Sequence, residues 1–186
     1  MKLFESLCKQ REFEQALTKN RERLYRMAFA WSHSPDIADD LVQEACSKAL
    51  RQRKQLRDMD SIGPWLFRIL KNTWHDYLRC RKETTEYNET EFTDEHTPES
   101  VNSRYETIQR VRQAMKGLPS SQREVLTLVD LERCSYAEVA EILDIPAGTV
   151  MSRLCRARRH LKEILLDQVA SLEGGAEVVE LRSNKF

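Results

Sequence analysis

The chain of 186 residues has room for one large domain or two small ones, and its length does not decide between them. Only 5 Gly and 5 Pro interrupt a sequence in which 32% of the residues are charged, which favours helices over many short strands and turns. Basic and acidic residues number 30 each, so the chain as a whole is neither strongly basic nor strongly acidic. The composition predicts an all-α fold.

The sequence pattern argues against membrane insertion and against a disulfide framework. It contains no stretch of about 18 uncharged apolar residues and no signal-peptide pattern, so we expect a cytoplasmic protein without stable membrane insertion. Five cysteines that never form a C-x-x-C pair favour reduced thiols over disulfides or a zinc site: Cys8, Cys46, Cys80, Cys134 and Cys155. We expect no metal and no cofactor.

Charge divides the chain into blocks. Residues 1–82 carry a net charge of +6, residues 83–103 carry −7, residues 104–162 carry +4, and residues 163–186 carry −3. Two basic blocks separated by an acidic one indicate polyanion contacts in each basic block, or else solvated helix faces joined by a solubilising linker.

Residues 83–103 combine seven acids with no Lys or Arg and a single Pro. Such a segment buries too little apolar area to offset its ordering entropy, and it is expected to be a flexible acidic linker. We therefore predict domains at 1–82 and 104–166, with a tail at 167–186 to which we assign no structure or role.

The N-terminal block predicts a bundle of three to four helices. Apolar residues recur at helical spacing between Phe13 and Trp31. A second helix begins at the N-cap Ser34, with Pro35 at its first position. Periodicity fails from residue 52 to residue 63, and a third helix begins at Pro64. Its inward face is expected to hold Trp65, Leu66, Ile69, Leu70, Thr73 and Tyr77.

The C-terminal block predicts a four-helix domain. One helix is marked by Ile108, Val111 and Met115 and ends at Gly117. Capping boxes at Ser121-x-x-Glu124 and Ser135-x-x-Glu138 predict two further helix starts. The last helix begins near Pro146, and its buried positions are expected to be Val150, Leu154, Ala157 and Leu161.

Residues 135–161, SYAEVAEILDIPAGTVMSRLCRARRHL, form the strongest local motif. A short capped helix, a tight turn at residues 144–146 and a longer basic helix are typical of a helix-turn-helix, whose second helix reads base edges. Arginine can bind phosphates or grip guanine through two acceptors. The alternative is a helical hairpin with a solvated basic face.

Polar and basic residues share one face of the predicted third helix: Arg68, Lys71, Asn72, His75, Arg79 and Lys82. Phe67 and Trp74 lie beside them, and basic residues interleaved with aromatics suit single-stranded nucleic acid. The preceding segment RQRKQLRDMDSIG is interpreted as a mobile loop that closes over an unstacked base. The alternative is that the aromatics belong to the core and that His75 is a polar surface residue.

The second helix carries DDLVQEA at residues 39–45, which places Asp40 and Glu44 one turn apart. Like charges at this spacing are mildly unfavourable within an isolated helix, so the patch suits a basic protein surface. The alternative is a favourable placement of acids near the helix N-terminus.

These motifs, in this order, resemble the extracytoplasmic-function (ECF) sigma factors of bacterial RNA polymerase. The resemblance runs from about Phe13 to Leu161 and is most specific in DDLVQEA, in WLFRILKNTWHDYLR at 65–79, and in SYAEVAEILDIPAGTVMSRLCRAR at 135–158. It implies a non-enzymatic subunit that binds core RNA polymerase, through the clamp helices and flap, and double- and single-stranded promoter DNA. It also implies an anti-sigma partner, and a linker that runs toward the RNA exit path.

The resemblance assigns site residues to three surfaces. The clamp helices would contact Asp39, Asp40, Leu41, Val42, Gln43 and Glu44. The minus 10 element would meet the loop 55–64 and its flanks, through Arg57, Ser61, Trp65, Arg68, Lys71, Asn72, His75, Asp76 and Arg79. The minus 35 element would meet Thr149, Met151, Ser152, Arg153, Cys155, Arg156, Arg158 and Arg159. Met151 and Cys155 depart from the residues common in the family, so the minus 35 preference cannot be copied from a relative.

Three other functions fit the sequence less well. A helix-turn-helix regulator that never joins polymerase requires an N-terminal sensor or dimerisation domain, which the basic and acidic helices do not indicate. A nuclease requires clustered acids or a positioned His and nucleophile. A metal or redox sensor requires close Cys or His pairs, which the sequence lacks.

Overall fold

The computed structural model describes residues 2–85 and 103–173. Within those two ranges the chain forms seven α-helices and no strand, which confirms the all-α prediction. The helices are α1 Lys2–Ser32, α2 Pro35–Gln52, α3 Ile62–Thr85, α4 Ser103–Lys116, α5 Ser120–Leu126, α6 Tyr136–Leu143 and α7 Ala147–Glu173. Most of the predicted acidic linker and the end of the predicted tail lie outside the described residues. None of the described helices is long and apolar enough to cross a membrane.

Helices α1 to α3 form the N-terminal bundle. Their fully buried side chains include Leu24, Met27, Trp31, Val42, Leu66, Phe67 and Leu70. The predicted start of α2 is confirmed: Ser34 Oγ accepts a hydrogen bond from the Ile37 amide at 3.4 Å, and Pro35 occupies the first position. Proline is tolerated there because the amide hydrogen it lacks has no partner within the helix.

The segment between α2 and α3 consists largely of two 3₁₀ turns, Arg53–Gln55 and Met59–Ser61. Asp58 caps the second turn by accepting from the Asp60 amide at 3.1 Å. The turn leads directly into α3, which therefore begins at Ile62, two residues before the predicted start. The loop predicted to be mobile is thus locally organised by short-range hydrogen bonds.

Helices α4 to α7 form the C-terminal domain. Helix α4 ends directly before Gly117, as predicted. The helix marked by Ile108, Val111 and Met115 is confirmed, although Ile108 and Val111 are 42% and 38% exposed. The buried residues of α4 are Ala114 and Met115, which pack at its C-terminal end.

The two predicted capping boxes differ in outcome. At the start of α6, Ser135 N donates to Glu138 Oε2 at 2.7 Å and Glu138 N donates to Ser135 Oγ at 3.3 Å, which confirms the reciprocal box. Helix α5 begins at Ser120 with no side-chain cap, so the box at Ser121 is wrong. The Glu124 carboxylate instead lies 3.0 Å from His75 Nε2 on α3.

A π-helical turn, Thr127–Leu131, follows α5. The Glu132 amide donates to Thr127 O at 3.1 Å, and the Cys134 amide donates to Leu128 O at 3.0 Å. Leu128 is fully buried beneath this turn. The wider turn carries the chain from α5 to α6 while keeping its backbone groups paired.

The two domains contact each other along α1 and α3. Arg123 Nη1 of α5 donates to Trp31 O at the end of α1, at 3.0 Å. The Arg112 guanidinium of α4 lies 5.1 Å from the centre of the Phe29 ring. Burial lowers the pKa of Arg123 because it strips water from the charged guanidinium.

Candidate nucleic-acid interface

Helices α6 and α7 form the predicted helix-turn-helix. Asp144 ends α6 in the left-handed conformation, with φ at 58°, and the Ile145 amide donates to Ala140 O at 3.0 Å. The Val150 amide then donates to Pro146 O at 3.1 Å and closes the first turn of α7. Aspartate tolerates the left-handed region better than most residues, which suits it to this turn.

The first half of α7 separates an apolar face from a polar one. Val150, Leu154 and Ala157 are buried and hold the helix against the domain core. The exposed positions there are Met151, Ser152, Cys155, Arg156, Arg158 and Arg159, while Thr149 and Arg153 are half-buried. Because the buried residues fix the rotation of the helix, the exposed face is presented as a unit to any bound groove.

Two arginines on α7 differ in their pairing. Arg156 bonds within its own helix, with Nε donating to Ser152 O at 3.2 Å. Arg158 forms a bidentate pair with Asp130 of the π-helical turn, at 2.6 and 3.2 Å. That pairing raises the pKa of Arg158, chiefly through its hydrogen bonds to Asp130. The expected phosphate contact of Arg158 is therefore weakened by a carboxylate that already offsets its charge.

The basic face of α3 is present as predicted, but the prediction that Phe67 and Trp74 contribute to it is wrong. Arg68, Asn72, His75 and Arg79 are exposed, as the sequence predicts, and Lys71 is half-buried. Phe67 is only 1% exposed, because α3 packs its wide apolar arc against the rest of the bundle.

Trp74 is 6% exposed and stacks on Tyr77, with ring centres 5.7 Å apart. Phe67 and Trp74 belong to the core and cannot stack on bases. Any base contact at α3 has to come from polar groups or from the half-buried Trp65, which packs edge-on against Phe13.

Asp76 lies in a network of ion pairs. Its carboxylate is 3.4 Å from Lys48 Nζ of α2 and accepts from Arg79 Nη2 at 2.8 Å. The same lysine lies 3.3 Å from Thr73 Oγ1. Of the residues assigned to minus 10 recognition, Asp76 and Arg79 are therefore paired with each other, whereas Arg57 and Ser61 are exposed in the preceding loop.

Some residues of the acidic segment 39–44 of α2 lie on the surface and others lie in the core. Asp39, Asp40, Gln43 and Glu44 are exposed. Leu41 and Val42 are 3% and 2% exposed and pack in the bundle, so the expectation that they contact polymerase is wrong. Their apolar side chains occupy the inward positions that the 3.6-residue period of the helix requires. Glu44 is also paired, at 3.4 Å from Arg51 Nη2.

The structure contains a basic cavity at the end of α2 that was not predicted from the sequence. Its volume is about 340 Å³, and Leu50, Arg51, Arg53 and Lys54 line it. The available signal was the run RQRK, which was interpreted only as part of a loop. The cavity lies at the base of that loop and adds positive charge beside the proposed minus 10 surface.

The cysteines whose side chains are described remain free thiols. Cys80 and Cys155 are exposed, whereas burial raises the pKa of Cys134 to about 11 and also raises that of Cys46. Within residues 2–85 and 103–173, His, Cys, Asp and Glu side chains form no group of three or more that could hold a metal ion.

Comparison with known proteins identifies the family. Residues 16–84 match the family model for Sigma-70 region 2, and residues 108–161 match that for Sigma-70, region 4. The ECF RNA polymerase sigma factor SigM of Mycobacterium tuberculosis is 31% identical over 153 residues, covering 82% of this chain and 76% of the relative. The chain belongs to the ECF sigma factors. The RNA polymerase sigma-H factor of Pseudomonas aeruginosa is 30% identical, covering 83% of this sigma factor and 86% of the relative.

Two solved structures share the fold. RpoE of Bartonella quintana, crystallised with the anti-sigma factor NepR, is 29% identical with a TM-score of 0.73, covering 83% of this chain and 96% of that one. CnrH in complex with the cytosolic domain of CnrY is 26% identical with a TM-score of 0.63, covering 86% and 90%. The chain is thus a sigma factor of RNA polymerase, a transcription initiation factor. A regulator that never joins polymerase is not favoured, because region 2 occupies the block where that alternative needs a sensor domain.

Proposed function

We propose that this sigma factor joins core RNA polymerase through the exposed acids of α2, captures minus 10 bases at α3 and the preceding loop, and reads the minus 35 element with α7. It positions and captures DNA without covalent chemistry, in the cytoplasm. The single observation that carries the proposal is the fixed polar face of α7, held in place by Val150, Leu154 and Ala157.

The minus 35 assignment rests on the order of residues along α7. Ser152 and Arg156 are one turn apart on the exposed face, near the turn that precedes the helix. A recognition helix contacts base edges with its N-terminal residues, so these two side chains are the base readers. Arg159 lies one turn further along and binds phosphates. Arg158 is already paired with Asp130.

The minus 10 assignment rests on the exposed polar residues in the first half of α3. Asn72 carries both a donor and an acceptor on an exposed amide, which suits it to the edge of an unstacked base. Arg68 is one turn away and supplies charge for the strand. The basic cavity formed by Leu50, Arg51, Arg53 and Lys54 extends this charge toward the loop.

An anti-sigma protein is proposed as a further partner. Two structures similar to this chain are complexes, of RpoE with the anti-sigma factor NepR and of CnrH with the cytosolic domain of CnrY. The likeness of the fold supports the same kind of partner for this chain. It does not assign the contact residues.

The proposal is tested by run-off transcription with purified core polymerase and a promoter from the protein's own genome. Wild-type protein should direct specific initiation that core polymerase alone does not achieve. Asp40→Lys should reduce co-elution with core, because it places a cation against the basic surface that the proposal assigns as partner. Glu12→Lys makes the same charge change at an exposed position of α1 and serves as the control.

Two outcomes contradict parts of the proposal. If wild-type protein fails to initiate with any promoter fragment of that genome, the assignment of the DNA-reading surfaces fails. If Asp40→Lys and Glu12→Lys co-elute with core equally well, α2 is not the polymerase-binding surface.

A further inference from the structure

An apolar groove lies between α5 and the second half of α7. Four leucines line it, Leu126 of α5 and, on α7, Leu161, Leu165 and Leu166. Positions 161, 165 and 166 share one face of a helix with 3.6 residues per turn, so these leucines form a continuous strip. The groove has a volume of about 320 Å³, at the small end of protein binding pockets.

The groove is only partly covered within the part of the chain that the structure describes. Leu126 is 4% exposed, and Leu161 and Leu165 are half-buried, whereas Leu166 is 56% exposed. Single exposed leucines are common on protein surfaces, but an apolar strip that leads into a groove is typical of a binding site. The strip therefore indicates a docking surface for an apolar segment.

The three remaining lining residues are charged, and they set the charge that suits an occupant. Asp130 and Arg158 are paired with each other at 2.6 Å, so their charges offset. Lys162 lines the groove one turn beyond Arg158 and is exposed. The lining thus carries one net positive charge, which favours an apolar segment that also contains acids.

The chain itself contains such a segment. Residues 174–186, GGAEVVELRSNKF, follow α7 and lie outside the described residues. The stretch EVVEL at residues 177–181 combines three aliphatic residues with two acids and contains no Lys or Arg. We call residues 177–181 the tail segment. Its composition matches both the apolar strip and the positive charge of the groove.

Two glycines precede the tail segment at the point where the chain leaves α7. The helix ends at Glu173, and Gly174 and Gly175 follow. Glycine is common directly after a helix because it readily adopts the backbone conformations that reverse the chain direction. The sequence therefore permits the chain to turn back along α7.

The tail segment is long enough to reach the groove after such a turn. With a rise of 1.5 Å per residue, Leu166 lies about 10 Å and Leu161 about 18 Å before Glu173 along the helix. An extended chain covers about 3.3 Å per residue, so Leu181 can lie up to about 26 Å from Glu173. The tail segment can therefore run alongside residues 161–166.

A second copy of the chain suits the groove less well than the tail segment does. A stable interface buries about 1,200 Å² or more and uses about 20–30 residues on each side. The groove is lined by seven residues. A tethered segment needs only a few contacts, because a short connection gives it an effective concentration in the millimolar range.

We propose that the tail segment docks in the groove between α5 and α7 of the same chain. Its valines and its leucine pack on the leucines of α7, and its acids lie beside Lys162. Any protein partner that uses the groove then has to displace the tail segment. The inference does not rest on the DNA-reading role proposed above, since it involves neither α3 nor the first half of α7.

Thiol labelling measures whether the groove is covered. Leu166→Cys places a thiol in the groove of the full chain, and Leu131→Cys places one at a residue that is 52% exposed and outside the groove lining. The two positions are almost equally exposed in the described residues, so their thiols should react alike unless one of them is covered. With N-ethylmaleimide, read by mass spectrometry of the peptide that carries the new cysteine, Leu166→Cys should react several-fold more slowly.

The decisive comparison changes only the tail. Val178→Asp combined with Leu181→Asp removes two aliphatic side chains from the tail segment and should raise the labelling rate of Leu166→Cys to that of the control position. Ser183→Asp combined with Asn184→Asp adds the same charge outside the tail segment and should leave the rate low. Neither pair alters a residue of the seven helices, so circular dichroism should show equal helix content in both.

Hydrogen exchange is a second measurement that needs no cysteine in the groove. A docked tail segment restrains the end of α7, so the amides of residues 161–173 should exchange several-fold faster in the variant altered at Val178 and Leu181 than in the variant altered at Ser183 and Asn184. The amides of α2 should exchange equally in the two variants.

Four results would overturn the inference. Equal labelling at positions 166 and 131 with an unaltered tail would show an open groove. Slow labelling at position 166 that persists in the variant altered at Val178 and Leu181 would show that a different segment covers it. Protection that increases with protein concentration would assign the groove to a second copy. Equal hydrogen exchange of α7 in the two tail variants would show that the tail segment does not restrain the helix.

Discussion

The two proposed DNA-reading surfaces differ in how their side chains are engaged. On α7, Arg156 and Ser152 bond each other and their own helix, at 3.2 to 3.4 Å. On α3, His75 is bonded to Glu124 of the other domain, and Asp76 is bonded to Lys48 of another helix. The proposed base-reading residues of the minus 35 surface, Ser152 and Arg156, are thus bonded within one helix, whereas the proposed minus 10 surface has partners on other helices. On the proposed function, the N-terminal surface therefore carries the larger cost of rearrangement on binding DNA.

We expect the two surfaces to belong to domains that fold separately, and Leu154→Ala tests this first. Leu154 is 2% exposed beneath the polar face of α7, and its truncation should destabilise the C-terminal domain by about 2–5 kcal/mol. All three tryptophans lie in the N-terminal domain, so their fluorescence follows that domain alone, whereas circular dichroism follows both. The dichroism transition should move to lower urea while the fluorescence transition stays.

Leu70→Ala is the matched control, because Leu70 is fully buried in the N-terminal bundle. It should move the fluorescence transition instead. If Leu154→Ala moves both transitions equally, the domains unfold as one unit and the contrast between two separate surfaces is lost.

Arg156→Ala tests whether the exposed face of α7 reads bases. Loss of a bidentate base contact should cost about 1–3 kcal/mol, or about 5- to 150-fold in affinity, and should relax preference at one position of the minus 35 element. A randomised-promoter binding assay measures both effects. Arg159→Ala should weaken all sequences alike and lower the salt slope by about 1.

A uniform loss across all promoter variants for both substitutions would show that α7 is a phosphate clamp. In that case the contrast between the two surfaces would concern charge alone, and sequence preference would reside elsewhere.

The rigidity of the helix-turn-helix depends on the capping box of α6. Ser135→Ala removes bonds to the Glu138 amide and carboxylate and should destabilise the C-terminal domain by about 1–2 kcal/mol at neutral pH. Ser121→Ala provides a control with the same sequence pattern but no box and should change stability by less than about 0.5 kcal/mol.

The effect of Ser135→Ala should depend on pH. Hydrogen bonds from Ser135 lower the pKa of Glu138, so its ionised form is favoured in the folded protein. This contribution is present above the ordinary glutamate pKa of about 4.3 and is lost as pH falls through the lowered value. Ser135→Ala keeps the backbone bond to the Glu138 carboxylate and loses the side-chain bond to it, so the difference in urea unfolding between wild type and variant should become smaller at acidic pH. A constant difference between them down to the lowest pH would remove Glu138 ionisation from the explanation.

The smallest expected effect concerns α3. Asn72→Ala removes one hydrogen-bonding group from the proposed base contact, at a cost of about 0.5–1.5 kcal/mol. Permanganate footprints of the melted region should weaken while closed-complex binding is retained, because the base is presented only after unstacking. Arg68→Ala should instead weaken closed and open complexes together. Undiminished footprints with Asn72→Ala would place the base contact on another residue.

Local signals in the sequence predicted local structure well. The N-cap Ser34, the box at Ser135, the turn at Asp144 and the end of α4 at Gly117 all depend on neighbours a few residues away. Their hydrogen bonds follow directly from residue type and spacing. The fold class and the exposed face of α7 could be predicted for the same reason.

Contacts between residues far apart in the chain could not be predicted from the sequence. Glu132 and Arg23 are 109 residues apart, and no periodic pattern connects them. The same limit explains why the box at Ser121 was wrong, since Glu124 is bound by His75, 49 residues away. Phe67 and Trp74 were placed beside the basic face because the sequence does not show that α3 is covered on more than one side.

The π-helical turn Thr127–Leu131 makes the loop between α5 and α6 sensitive to changes in length. Its widened turn holds one more residue than an α-helical turn would hold. Deleting one residue there should close it to an α-helical turn and break the bonds of the Glu132 and Cys134 amides to Thr127 O and Leu128 O. The shortened segment would then displace Asp130 from Arg158 and Glu132 from Arg23. Insertions and deletions in this five-residue segment should therefore be far less tolerated than single substitutions at its exposed Leu131.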